Sequence, residues 1–241
     1  MKRFLGAMSI CVALAGCATV NRMAFDKEAK TIDTSEKSVV LMALEVSRSD
    51  DSRYVPMPVL VKLEQPNAQS KEERQNFALS ALSDVVKEGD RTVYLTRMAL
   101  KPGQYKMGEV TGSAIGFPFV GSFVVPLLMD LNVKPNSITY VGRLTAKLRP
   151  RQGEEFRAGP VIPLIDQSVT GLSGGTWDVT TENLSEKDLA LFRSHFPVLT
   201  SATIESAPLA PFDRAVVQRW WEGGAQPAAA ATPAAPVATS K

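Results

Sequence analysis

Residues 171–175 read Gly171-Leu172-Ser173-Gly174-Gly175. This is a G-x-S-x-G pattern, which can lift a serine hydroxyl onto a tight turn as a nucleophile. Asp178, Asp188 and the only histidine, His195, follow in the order serine, acid, histidine. Together they could perform acyl-transfer hydrolysis. Such a turn needs a strand before it and a helix behind it. Val161 to Ile165 could supply the strand, although Pro163 weakens it. The helix is missing from the pattern: Gly174 and Gly175 are poor helix formers, and Thr176 to Thr180 reads as a strand. The favoured reading is a glycine-rich connection, with Gly174 or Gly175 at positive φ and Ser173 out of reach of His195. A hydrolase using Ser173 and His195 is the runner-up.

Other chemistry finds less support. A single histidine without cysteines, and with no suitably spaced carboxylates, does not make a transition-metal site. His195 suits a helix C-terminus instead. Asp50-Asp51 lacks the alternating oxygen ligands of a calcium loop. No metal and no cofactor is expected.

The N-terminus carries a clearer signal. Lys2 and Arg3 precede an apolar stretch, Phe4 to Ala15, too short for a stable transmembrane helix. It ends Leu14-Ala15-Gly16-Cys17, which closely resembles the lipobox of bacterial lipoproteins. The resemblance implies cleavage before Cys17 and attachment of acyl chains such as palmitate to it. Two or three chains hold a protein on a membrane where one does not. Ala18, in place of an acidic residue, implies by the same resemblance sorting to the outer membrane, facing the periplasm. Residues 1–16 are then a signal peptide and 17–37 a lipidated tether.

With Cys11 removed and Cys17 acylated, no thiol remains for a disulfide, and the domain must rely on its core. Removing Lys2 and Arg3 from 27 basic residues leaves 25, against 25 acidic ones. A balanced chain offers no field for nucleic acid or anionic lipid.

The elements that would position these residues are mostly strands. Ser38 to Val46 is apolar on both parities, which suits a strand buried on both faces. Val55 to Glu64 is strand-like, with Pro56 and Pro58 pushing its start to an edge. Thr92–Leu100 and Tyr105–Val110 flank Lys101-Pro102-Gly103-Gln104, a type II turn signature, and predict a hairpin. Leu131–Val133, Lys134-Pro135-Asn136-Ser137 and Ile138–Leu148 repeat the arrangement. In the last strand, Ile138, Tyr140 and Gly142 alternate with Thr139, Val141 and Arg143. Arg149 to Phe156 reads as a solvated hairpin tip.

Three helices are predicted. Ser70–Glu88 opens with a Ser-x-x-Glu capping box, places Phe77, Ala81, Leu82, Val85 and Val86 on one face and stops at Gly89. A second begins at the capping box Ser185–Asp188 and ends at Pro197. A third runs from Pro211 to Trp221, with Phe212, Val216 and Trp220 four apart. Residues 223–241, rich in alanine and proline, cannot bury a core and read as a disordered tail.

These elements predict a mainly β domain over residues 38–222. The architecture is an antiparallel β-sandwich with two or three peripheral α-helices. "LKPGQY" (Leu100–Tyr105) and "NVKPNSITYVG" (Asn132–Gly142) resemble a pattern in small envelope lipoproteins with a transthyretin-like or carboxypeptidase-regulatory-like sandwich. That resemblance implies a fold more than an activity.

The segment Ser113 to Met129 carries no charge. Gly116, Pro118, Gly121 and Pro126 argue against a transmembrane helix. Two readings stand side by side: a core strand, or an exposed apolar flap contacting an envelope protein, an acyl chain or the bilayer. On the second, Phe117, Phe119 and Phe123 project from one face. Trp220 and Trp221 are a further candidate contact, or a closure of the core. The expectation is a lipid-anchored, non-enzymatic binding or structural module that does not bind nucleic acid. A lipid- or glycan-binding carrier is a second alternative.

Overall fold

The computed structural model describes residues 19–49, 55–116, 119–159 and 174–223. The described residues form eleven strands in two sheets. In chain order they are β1 (Thr19–Asn21), β2 (Ser38–Arg48), β3 (Val55–Glu64), β4 (Arg74–Ala78), β5 (Val85–Glu88) and β6 (Arg91–Leu100), then β7 (Gly103–Gly116), β8 (Phe119–Val133), β9 (Ile138–Pro150), β10 (Gly175–Glu182) and β11 (Glu205–Ser206). The helices are α1 (Ser185–His195), a 3₁₀ turn (Pro197–Leu199) and α2 (Arg214–Glu222). The front sheet has the order β1-β4-β3-β7-β8, and the back sheet β10-β9-β2-β6-β5 with β11 beside β9. The fold is thus mainly β and consistent with the expected sandwich. Most neighbours run antiparallel, but the central pair β2–β9, the edge pair β1–β4 and the short pair β11–β9 are parallel.

β2 shows why the back sheet is the middle of three layers. Val40, Met42 and Leu44 face the front sheet in the main core. Val39, Leu41 and Ala43 face the other way, into a second cluster with Phe25, Phe192, Phe196 and Leu199. A strand apolar on both parities therefore buries both faces, as its composition requires.

The turn signatures occur where expected but join different partners. β6 lies in the back sheet and β7 in the front sheet, so Pro102-Gly103 makes an arch between sheets rather than a hairpin. Pro135-Asn136 does the same between β8 and β9. A turn signature reverses the chain locally; it does not choose the strand that accepts the backbone hydrogen bonds.

The helix expected over 70–88 is absent. Glu73 does cap, but its carboxylate accepts from Gln69 N and Ser70 N inside a turn that leads into β4. Asp84 is drawn instead to Arg97 of β6, 2.7 Å away. The charged segment 149–156 is solvated at its turn, Gln152 to Glu154, but its flanks Arg149 and Glu155 are half-buried. Arg149 binds both Glu155 and Asp178, and Phe156 is fully buried.

Nor is residue 17–37 a free tether along its described part. β1 pairs with β4 from Thr19 onward, Ala24 N donates to Arg97 O, and Phe25 enters the second core cluster. The tail predicted from residue 223 lies outside the described residues after Gly223, as do Asp50-Asp51 and Val161–Ile165.

Candidate functional site

The uncharged segment forms the tip of the β7–β8 hairpin. Ile115 pairs with Val120, and Gly116 with Phe119. Ile115 also pairs with Val55 of β3. Paired residues share one face of a sheet, so Val55, Ile115 and Val120 make a row across three strands. They are 49%, 45% and 68% exposed. Val59, at the register shift between Pro58 and Leu60, is also exposed. Four of the seven exposed large hydrophobic residues in the described chain thus belong to β3 and this hairpin tip. That concentration separates them from the scattered apolar residues of any surface.

The aromatic residues expected to build the contact do not do so together. Phe117 lies outside the described residues, and Phe119 is placed only by its backbone pairing with Gly116. Phe123 is core: its ring centroid lies 5.2 Å from that of Trp177. Gly112, opposite Phe123, makes room for it. A Cβ on Gly112 would stand 2.6 Å from the Phe123 ring and 2.2 Å from Met57 O. The outward residues are Val120 and its neighbours, not the phenylalanine at 123, because alternation gives each face every second residue.

α2 begins one turn later than predicted. Asp213 caps it by accepting from Ala215 N and Val216 N. The shift turns Val217 and Trp221 into the core, so Trp221 is a core residue rather than a contact. Trp220 is half-buried and lines a groove of about 470 Å³ with Leu128, Gly108, Lys62, Arg74 and Glu109. Lys62 and Glu109 neutralise each other across it at 2.7 Å. The groove and the hairpin tip are separate places on the molecule, distant along β7.

The acids and the histidine proposed for hydrolysis are occupied elsewhere. Ser173 lies outside the described residues. His195 Nε2 sits 3.0 Å from Ser83 O, with its ring edge-on to Phe196. Asp178 forms ion pairs with Arg149 and Arg214. Asp188 does not cap α1: Leu184 is the N-cap, without a side-chain hydrogen bond. It is fully buried and accepts from Tyr140 Oη at 2.6 Å and from the Arg143 guanidinium. Among the described residues the left-handed glycines are Gly89, Gly103, Gly142 and Gly153; the expected positive φ is seen at neither Gly174 nor Gly175, which opens the extended strand β10.

The Arg143–Asp188 pair belongs to a buried network that sequence reading missed. Arg143 also reaches Glu88 at 2.7 Å, and Glu88 meets Lys187 at 3.1 Å and Arg91 at 3.7 Å. Glu45 lies 3.6 Å from Arg91. Cations and anions are balanced here, which is the arrangement that lets charges stay buried. Burial alone would lower the Arg143 guanidinium, but hydrogen bonds to Asp188 and Glu88 hold it above its ordinary value. Burial, then the Asp188 carboxylate, pushes the Tyr140 phenol far above its usual range. Burial opposes Glu88 ionisation, yet Arg143 and Lys187 bring its carboxyl below its ordinary value. These groups are held in their charged or neutral states, not poised to exchange protons near neutrality.

A bulge assembles this network. Between Leu41 and Ala43 the β2–β9 register shifts, with Gly142 at φ 109°. The extra residue lets Tyr140 and Arg143 both face Asp188, although strict alternation puts them on opposite faces. The alternation read from the sequence therefore fails at Gly142. That glycine was the available signal, since an isolated glycine in a strand marks a bulge.

Arg97 forms a second buried centre. It pairs with Asp84, is buried, and its guanidinium carbon lies 3.9 Å from the Phe196 ring centroid and 5.6 Å from that of Phe25. Burial lowers its guanidinium below the usual value despite Asp84. Among the described residues, no group of three or more His, Cys, Asp or Glu is placed to hold a metal ion. Nor is any described helix long and apolar enough to cross a membrane. Comparison with protein-family models, with curated proteins and with solved structures finds no match to this chain.

Proposed function

We propose that this protein is a lipid-anchored module of the outer membrane, facing the periplasm, that acts by binding rather than by catalysis. The anchor is Cys17, at the end of the lipobox-like sequence. The contact surface is the hairpin tip, and the observation that carries it is the exposed row Val55, Ile115 and Val120. Alternation fixes which face these residues take, since Ala114, Phe123 and Val125 on the other parity are buried, but it does not require them to be apolar. The dense ion pairing around Arg143 and Arg97 supports the non-catalytic reading, because it uses the buried charges to join layers. The partner class that fits is an envelope protein with a small apolar patch.

In-cell photo-crosslinking from position 120 tests the contact. A discrete adduct that disappears in Ile115→Asp, with the fold unchanged by circular dichroism, is the expected result. An identical adduct from Ile115→Asp refutes the tip as the contact. For the anchor, Cys17→Ala should move the protein from the membrane to the soluble fraction; retention on the membrane refutes lipidation as the main hold.

A further inference from the structure

The start of β1 decides how an anchored domain stands on its membrane. Cys17 lies two residues before Thr19, the first residue of β1. Two residues reach at most about 7 Å. Thr19 is not free to extend that reach, since it pairs with Gln75 of β4. The pairing Asn21↔Phe77 continues the strand, and Asn21 Nδ2 donates to Gln75 Oε1 at 2.7 Å.

The direction of β1 matters as much as its length. β1 runs parallel to β4, from the level of Gln75 towards that of Phe77. Across the sheet Gln75 pairs with Leu63, Leu63 with Met107, and Met107 with Met129. Continuing along β7 from Met107 leads to Ile115 and the hairpin tip. The chain therefore enters β1 travelling towards the tip, and a link of two residues keeps Cys17 nearer the opposite end whichever way it runs. That base consists of the turn 65–73, closed by Gln65 N donating to Glu73 O, and the arches at Pro102 and Pro135. From Met107 to Ile115 the strand rises roughly 25 Å at about 3.3 Å per residue.

We infer that the base of the front sheet rests directly on the bilayer that holds the Cys17 lipid, and that the hairpin tip points away from that bilayer. This rests on the lipid-anchor reading. The occupant of the base is the headgroup layer, because the link of two residues between Cys17 and Thr19 is too short to carry the lipid far from it. Polar turns suit it: Gln69, Lys71, Lys101 and Lys134 sit on its three loops. Charge adds little, since Glu72 and Glu205 pair with Lys71 and Lys134. The acyl chains supply the affinity and the short link supplies the orientation. The apolar tip then meets its partner roughly 30 Å from the lipid, a height set by strand length.

The test uses the lipidated full chain in vesicles of phosphatidylethanolamine and phosphatidylglycerol carrying a headgroup nitroxide quencher. With Cys17 acylated, Gln69→Cys and Val120→Cys each provide a single thiol for a fluorescent dye. The dye at position 69 should be quenched several-fold more than the dye at position 120. Inserting a ten-residue Gly/Ser spacer between Ala18 and Thr19 should remove most of the difference. Equal or greater quenching at 120 in vesicle-bound protein overturns the orientation while leaving the lipid anchor standing. So does absence of quenching at both positions, which would mean that β1 releases and acts as a tether. Intact mass separates the other failure: a chain without acyl groups overturns the anchor reading and this inference together.

Discussion

Asp188 shows what one residue does when its partners are distant in sequence. It lies in the first turn of α1 but serves Tyr140 and Arg143 of β9. Asp188→Ala should cost about 3–5 kcal/mol, because it leaves Arg143 buried against fewer anions. Urea denaturation followed by tryptophan fluorescence measures it. Gly142→Ala should cost about 1–3 kcal/mol, since its φ of 109° is strained for any residue with a Cβ. Here a Cβ would also stand 3.0 Å from Glu182 O. Acid sensitivity follows from two carboxyls. The Arg149 hydrogen bond holds the Glu155 carboxyl down at about 2, and Glu88 is also lowered. Depressed carboxyls stabilise the fold above their unfolded value of about 4.3, and that contribution is lost as pH falls through the folded value. The urea midpoint should therefore drop between about pH 4.5 and 2. Glu155→Gln should flatten that drop; an unchanged slope would refute the assignment.

At the scale of elements, the legible features were those that local physics decides alone. The two-faced composition of β2, the strand carrying Trp177 and the stop of α1 before Pro197 were all readable. The false helix over 70–88 had the right local signatures. Its capping residue does cap, and Gly89 does adopt the left-handed conformation. What it lacked was a helix between them, because Phe77 and Val85 pair into different sheets. α2 is the converse case, a real helix read one turn too early. Its cap is Asp213, so Asp213→Ala should destabilise by about 1 kcal/mol. Near-ultraviolet circular dichroism should change with it, since Trp221 closes the core from that helix.

For the whole molecule, the arrangement places the entry to β1 and an apolar tip towards opposite ends of the front sheet. Ile115→Asp and Val120→Asp should each alter stability by no more than about 0.5 kcal/mol, as exposed positions do. A loss of several kcal/mol in thermal or urea unfolding would show that the row is covered in the native fold. The sequence by itself determined the class of fold, the uncharged stretch and the lipobox-like start, because composition, alternation and short motifs are properties of neighbours in the chain. Only the tertiary structure decided which turns are arches, that residues 19–21 are a strand rather than a tether, and that Val120 rather than Phe123 faces outward. Those outcomes depend on which distant strand receives each backbone hydrogen bond. Pairing of that kind is set by the burial of the whole core, and no window of sequence contains it.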